Sequence, residues 1–375
     1  MMTGIKQIVV LGSSLAILFP ACAAQGGPRV LRPAAHLAVP RASHTTTALA
    51  DGSLLVIGGF RKGPDGHSQL YADTTERIDP VAGAIVAGPR LRHARAGHAA
   101  VRLADGRLLV AGGWSDSGML RSAEVLDAAG VGFTTVGDLA EPRGGFAAVA
   151  LADGRVLVCG GGDGAATRSA EIFDPADDRF HPTGDMIAPR LGHSATLLAD
   201  GRVLLVGGAS GRDRLLASAE IYDPRSGTFA PAGPLAIERY KHAAIRLRDG
   251  RVLIIGGSSL RDWTGTYDTT EIYDPTTDRF RAGPKLTTPR FKLMQAVALV
   301  GDDVAVAGGA STVELVRPDR GSRVIARLGQ SLYYDTLTVV GDRLVVVGGY
   351  DARVRTATAV WFVPGASSGA RHSRP

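Results

Sequence analysis

Cysteine is almost missing from this 375-residue chain: only Cys22 and Cys159 are present. A small fold stapled by disulfides is thereby excluded. No amphipathic helical pattern, coiled coil or second domain is evident. The formal charge of +6 is a modest excess and comes almost entirely from arginine. No basic run is interleaved with aromatics, as single-strand nucleic-acid binders require, so no nucleic-acid partner is expected. The longest apolar run, Ile8–Phe19, is too brief for a stable membrane span.

That run follows Lys6 and reads as the core of an export signal over residues 1–24, set apart from the fold. Two exits fit. Phe19-Pro20-Ala21-Cys22 resembles a bacterial lipoprotein box that would place a lipid on Cys22, although Phe19 stands where leucine is usual. Ala21-Cys22-Ala23 also fits cleavage after Ala23 and free export. The expectation is a periplasmic or outer-membrane protein, tethered only through an N-terminal lipid, with the secreted form as the alternative. Either exit leaves Cys159 without a partner. Such a chain must rely on its core, which its length permits.

What is abundant is one repeated unit, seen most completely from Pro189 to Pro224. Two short apolar runs, His193–Leu198 and Val203–Val206, flank Asp200-Gly201. Both are too short for helices, and the dipeptide supplies the positive φ of a tight hairpin. Gly207-Gly208 ends the second strand, Ala219–Tyr222 forms a third, and Asp223-Pro224 stops it. A fourth strand surrounds Phe229. The Gly-Gly pair recurs with first members Gly58, Gly112, Gly160, Gly207, Gly256, Gly308 and Gly348. Its spacing of roughly 40 to 54 residues is that of four-stranded propeller blades. Units open at Arg41, Arg95, Arg143, Arg190, Arg239, Arg290 and Ser331. Leu31–Arg41 matches the length and prolines of Phe180–Arg190, while the last unit ends near Thr358–Val363 without a fourth strand. The N-terminal strand is therefore expected to complete the last blade and remove an open edge.

The Gly-Gly pairs and the segments Glu171–Pro175, Glu220–Pro224 and Glu271–Pro275, with Phe133, Phe180, Phe229 or Phe280 following, resemble the kelch family of β-propellers. Kelch repeats often carry tryptophan at that aromatic position. The resemblance implies an all-β, seven-bladed kelch propeller over residues 25–364, with 365–375 as a disordered basic tail. It is nearly silent on function, since kelch propellers include enzymes, adaptors and scaffolds.

Strand directions place the Arg-x-x-His segments, the Gly-Gly pairs and the variable loops on one face. Kelch adaptors that grip acidic peptides suggest a ligand-binding ring of Arg41, Arg95, Arg143, Arg190, Arg239 and Arg290. A competing expectation is an intrablade brace. The same six blades carry Glu76, Glu124, Glu171, Glu220, Glu271 and Glu314, while the seventh has Ser331 and Val360. His44, His98, His193 and His242 belong to different blades and suit packing, with Phe146, the Leu293/Met294 region and Tyr334 in their place elsewhere. No metal or other cofactor is expected.

The long loops Phe60–Thr75 and Ser258–Thr270 bring Phe60, Tyr71, Trp263 and Tyr267 to that face. Trp114, Tyr333, Tyr334, Asp335 and Tyr350 join them. Such aromatics fit a monomeric binding module for a glycan, peptide or protein. The alternative is a carbohydrate-active enzyme resembling galactose oxidase or the N-acetylneuraminate epimerases. Asp335 and Asp262 are the acid–base candidates for it.

Overall fold

The computed structural model describes residues 28–364 except 66–67, 163–164, 212–213, 260–263, 352 and 354. The leader with Cys22, the basic tail, Trp263 and Asp262 lie outside the described residues. Every regular element described is a β-strand. Seven sheets have the expected four-strand antiparallel order, as in Ser194–Leu197, Val203–Val206, Ala219–Asp223 and Thr228–Ala232 of blade four, and three two-stranded hairpins stand beside them. The innermost strands are Thr45–Ala48, Ala99–Arg102, Ala147–Ala150, Ser194–Leu197, Ala243–Arg246, Val297–Val300 and Thr336–Val340. Each abuts the next, and the seventh abuts the first, so the ring is closed.

The core follows from the pattern of the second strands. Leu54–Ile57, Leu108–Ala111, Val156–Cys159, Val203–Val206 and Val252–Ile255 are apolar and buried at every position. A strand buried on both sides must be sandwiched by neighbouring sheets, and a continuous apolar run reports that. Seven apolar layers result, one in each seam between blades. Cys159 is one of these packed residues, and burial pushes its thiol up to about 12.

Closure occurs as expected, and with an addition. Ala35–His36 pairs antiparallel with the final strand, Ala35 facing Val360 and His36 facing Ala359. The amides of Ala34 and Leu37 extend the pairing to the carbonyls of Val360 and Thr358, both at 2.8 Å. Just upstream, Arg29–Val30 lies parallel to Ala326–Arg327 and gives blade six a fifth strand. Two residues carry no readable alternation, so this pairing was not legible in the sequence. The N-terminal segment thus ties blade six to blade seven before entering blade one.

Candidate functional site

The repeat arginines are structural. All six are fully buried. Each directs Nη2 to the glutamate of its own blade at 2.7–2.9 Å. Each also donates Nη1 to the carbonyl of the first Gly-Gly glycine, as Arg190 does to Gly207 at 2.8 Å. The glutamates do more than receive the arginine. Glu76, Glu124, Glu171, Glu220, Glu271 and Glu314 each accept a backbone amide from the connection arriving from the previous blade: Ala38, Arg92, Ala140, Ile187, Ala236 and Thr287. The brace expectation is met and extended across the seam. The ligand-gripping ring is corrected, because these guanidinium forks are sealed and committed.

The seventh unit shifts by one residue from its sequence assignment. The carbonyl of Leu332 accepts the amide of Gly309 at 2.6 Å, as that of Arg95 accepts the amide of Gly59 at 2.8 Å. Leu332, not Ser331, therefore fills the arginine place. Val347 faces Val360 as Ile57 faces Thr75, so Trp361, not Val360, stands where glutamate is expected. Leu332 and Trp361 are both buried in the layer between blades six and seven. An apolar pair thus replaces the ion pair, consistent with the general finding that such exchanges are tolerated only when made together.

The mouth of the propeller is built just after the arginines. Ser43, Gly97, Gly145, Gly192, Lys241, Lys292 and Tyr334 all have left-handed φ between 53° and 62°. Their backbones link neighbouring blades: Ser43 donates to Tyr334, Gly97 to Ser43, Gly192 to Gly145, Lys241 to Gly192 and Lys292 to Lys241, at 2.8–3.0 Å. Glycine suits that conformation, whereas lysine and above all tyrosine are strained in it. Such outliers concentrate at functional sites. Within this circuit the large side chains held so, Lys241, Lys292 and Tyr334, fall in blades five, six and seven, and the small Ser43 in blade one.

Aromatic rings surround this circuit. The Trp114 indole lies on Gly97 and Gly144, where an added Cβ would come within 2.5 and 2.3 Å of it. Tyr240 covers Gly192 in the same way, and the Lys241 ammonium sits 4.4 Å from the Tyr240 ring centre. Lys292 donates to the Tyr350 hydroxyl at 2.8 Å, with Phe291, Tyr333, Tyr334 and Tyr350 rings 4.8–5.9 Å away. Phe60, Tyr71, Tyr333, Tyr334 and Tyr350 form one cluster with Ala42 and Ala96. Tyr267 stands beside Arg239, at 5.7 Å from its guanidinium carbon. Trp114, Tyr267, Tyr334 and Tyr350 therefore reach the expected face.

Tyr240, Lys241, Phe291 and Lys292 are additions to the sequence-based set. Their signal was readable in the two residues between arginine and histidine. These are small or aliphatic in units one to four, Ala-Ser, Ala-Gly, Gly-Gly and Leu-Gly, but Tyr-Lys, Phe-Lys and Tyr-Tyr in units five to seven.

Inside the ring lies a cavity of about 200 Å³, bordered by Ser43, Lys292, Met294, Gln295, Tyr334 and alanines of the innermost strands. The four histidines are packed between blades and donate or accept at Nε2: His242 with Ser194 at 2.9 Å, His98 with Thr45 at 3.1 Å, His44 with Thr336 at 3.3 Å and His193 with the Cys159 sulfur at 3.7 Å. Burial holds His44, His193 and His242 down at about 3, so they are neutral imidazoles. Among the described residues no cluster of three or more His, Cys, Asp or Glu has metal-binding geometry. Asp335 occupies the histidine place in blade seven, which sequence alone assigns to Tyr334. It borders the cavity, yet both carboxyl oxygens are sealed in the seam. That seal keeps it from acting on a molecule in the channel.

The fold and the site together define a seven-bladed propeller with a rigid ring of braced blades and one irregular, aromatic sector at its mouth. Comparison supplies the family: a model for the Kelch motif matches residues 143–187, which is blade three and its approach to blade four. No curated protein matches the chain. With that motif and the seven-fold ring, the chain is a kelch-repeat β-propeller.

Proposed function

We propose that this propeller is an exported interaction module whose partner, a glycan or peptide presented on a cell surface or another protein, binds across the mouth sector of blades five, six, seven, one and two. One observation carries the reading. The arginine–glutamate brace is kept in six blades of the ring, and the mouth of blades five, six and seven departs from the repeat with residues that cost backbone strain and add aromatic and cationic surface. Partly buried rings such as Trp114 and Tyr240 offer flat apolar area with little side-chain entropy to lose. Lys241, stacked on Tyr240, adds a cation beside that surface, which favours partners carrying a carboxylate or other anionic group.

The test is a glycan and peptide array probed with the mature protein. It is repeated with Tyr240→Ala, Lys241→Ala and Trp114→Ala, and with Arg202→Ala on the opposite, hairpin face. Binding that falls at least tenfold with the mouth substitutions and persists in Arg202→Ala supports the reading. Ligands whose affinity is indifferent to all three mouth substitutions would sink it.

A further inference from the structure

The residue three places after each repeat arginine sends its side chain back toward the preceding blade. In four blades it is a histidine with a hydroxyl or thiol to meet there. Phe146 and Leu293 instead lie against Gly112 and Gly256. Asp335 enters the same slot between blades six and seven. Its carboxyl lies so close to Gly308 that an added Cβ there would be 2.6 Å from Oδ1, with Ala296 and Leu293 as the other neighbours of that point. Thr45 and Ser194 face the residue that precedes the Gly-Gly pair, and in blade six Ala296 takes that place and offers no hydroxyl. Asp335 is 2% exposed, and neither oxygen has a hydrogen-bond partner among the described residues.

The charged and titratable groups around it are committed elsewhere. From blade six, Arg290 favours the carboxylate but spends its fork on Glu314, Thr312 and the Gly308 carbonyl. Lys292 turns its ammonium to Tyr350. His44 of blade one reaches the neighbouring Thr336, not Asp335. Tyr333 and Tyr334 precede Asp335 in blade seven, and Tyr350 follows Gly349, which packs against its Cβ. Burial outweighs the help that its own backbone amide and the Arg290 charge give the carboxylate, and pushes the group up to about 7.

We propose that Asp335 makes the seam between blades six and seven a proton-operated joint, closed while the carboxyl is neutral and opened to water when it ionises. The joint lies where the ring is closed by the N-terminal segment, and directly beneath the strained Tyr333–Tyr334 arc of the mouth. Opening it displaces that arc, so the surface changes across neutral pH while the other six seams stay shut. This inference goes beyond the binding reading and stands whether or not that reading holds.

The experiment uses the mature protein with ¹³C-labelled aspartate, titrated from pH 4 to 9. Asp335→Asn assigns the resonance. One carboxyl signal is expected to titrate near pH 7 and to be absent from the variant. Hydrogen exchange, corrected for the intrinsic pH effect, is expected to accelerate in Thr336–Val340 and Val297–Val300 as that signal titrates, and to stay constant in Asp335→Asn. Asparagine is nearly isosteric and neutral. Relative to wild type, its folding equilibrium is expected to improve by about a thousandfold between pH 4 and 8, the effect of a three-unit shift. Titration of Asp335 in the ordinary carboxylate range overturns the proposal. So does titration near 7 without any change of exchange at the seam. If the variant does not fold, the wild-type titration and exchange decide alone.

Discussion

Replacing Glu220 by alanine should unsettle the whole ring, although the side chain touches no ligand. In the native blade Arg190 is fully buried and gives Nε and Nη2 to Glu220 at 3.0 and 2.8 Å, Nη1 to the carbonyls of Gly207 and Ser218, and Nη2 to the Ser218 hydroxyl. Glu220 also accepts the amides of Ile187 and Ala188 at 2.7 and 3.0 Å. Its removal leaves a buried guanidinium with dipoles but no counter-charge, a loss of about 3–5 kcal/mol. The two amides add little, because Ile187 is exposed and water can reach the connection. Against a typical total stability of roughly 5–15 kcal/mol, that is a large fraction. The control is written into blade seven, where Leu332 and Trp361 fill the same two places. Arg190→Leu with Glu220→Trp should therefore recover most of the loss, although neither single change does. Urea unfolding followed by far-UV circular dichroism, analysed as a double-mutant cycle, measures both. A cost below about 1 kcal/mol for Glu220→Ala, or a double variant no more stable than the worse single one, would refute the reasoning.

Two further outcomes follow from the fold. Deleting residues 29–40 strips blade seven of Ala35–His36 and blade six of Arg29–Val30, and takes Ala38 and Val39 from Glu76. The deletant should unfold or associate through the exposed edges, and a monomer with an unchanged melting temperature in size-exclusion and calorimetry runs would contradict this. The three histidines held at about 3 have an ordinary value of 6.5, so the unfolded chain binds protons that the folded one refuses. Their stabilisation is complete above about pH 6.5 and drains away as pH falls toward 3. His242→Gln should move the acid-unfolding midpoint downward in a circular dichroism titration, whereas an unmoved midpoint would mean that His242 is not buried neutral.

Most of the architecture was legible because two markers kept step. The Gly-Gly pairs and the Asp-Gly hairpins mark the ends of the same buried second strand, so their common period reported the blades directly. The brace was legible for a related reason: arginine and glutamate appear together or not at all. The seventh unit was misplaced by one residue because it has lost the arginine from which the others are counted. Side chains alternate across a strand, so a slip of one exchanges Val360 for Trp361 and sends the wrong residue to the seam. Tyr334 and Asp335 were confused through the same slip. The fifth strand of blade six was beyond reach, since a two-residue parallel pairing leaves no periodicity.

The substitutions in blade seven make physical sense as one event. The seam between blades six and seven is crossed both by the chain that runs from Arg327 to Thr336 and by the N-terminal segment, which pairs with blade six at Arg29–Val30 and with blade seven at Ala35–His36. In blade one the segment that leaves this seam supplies Ala38 to Glu76. In blade seven the equivalent demand is removed, because Leu332 and Trp361 ask for no partner charge. The same substitution deprives the slot of a neighbouring polar network, so that Asp335 lies among Ala296, Leu293 and the bare edge of Gly308. Arg290 is close enough to bias its ionisation but not free to pair with it. The closing seam is thus the most apolar in its bracing and also the one that holds an unpaired acid. The ring is left with one seam that loosens as pH rises through neutrality, beneath the part of the mouth that departs furthest from the repeat.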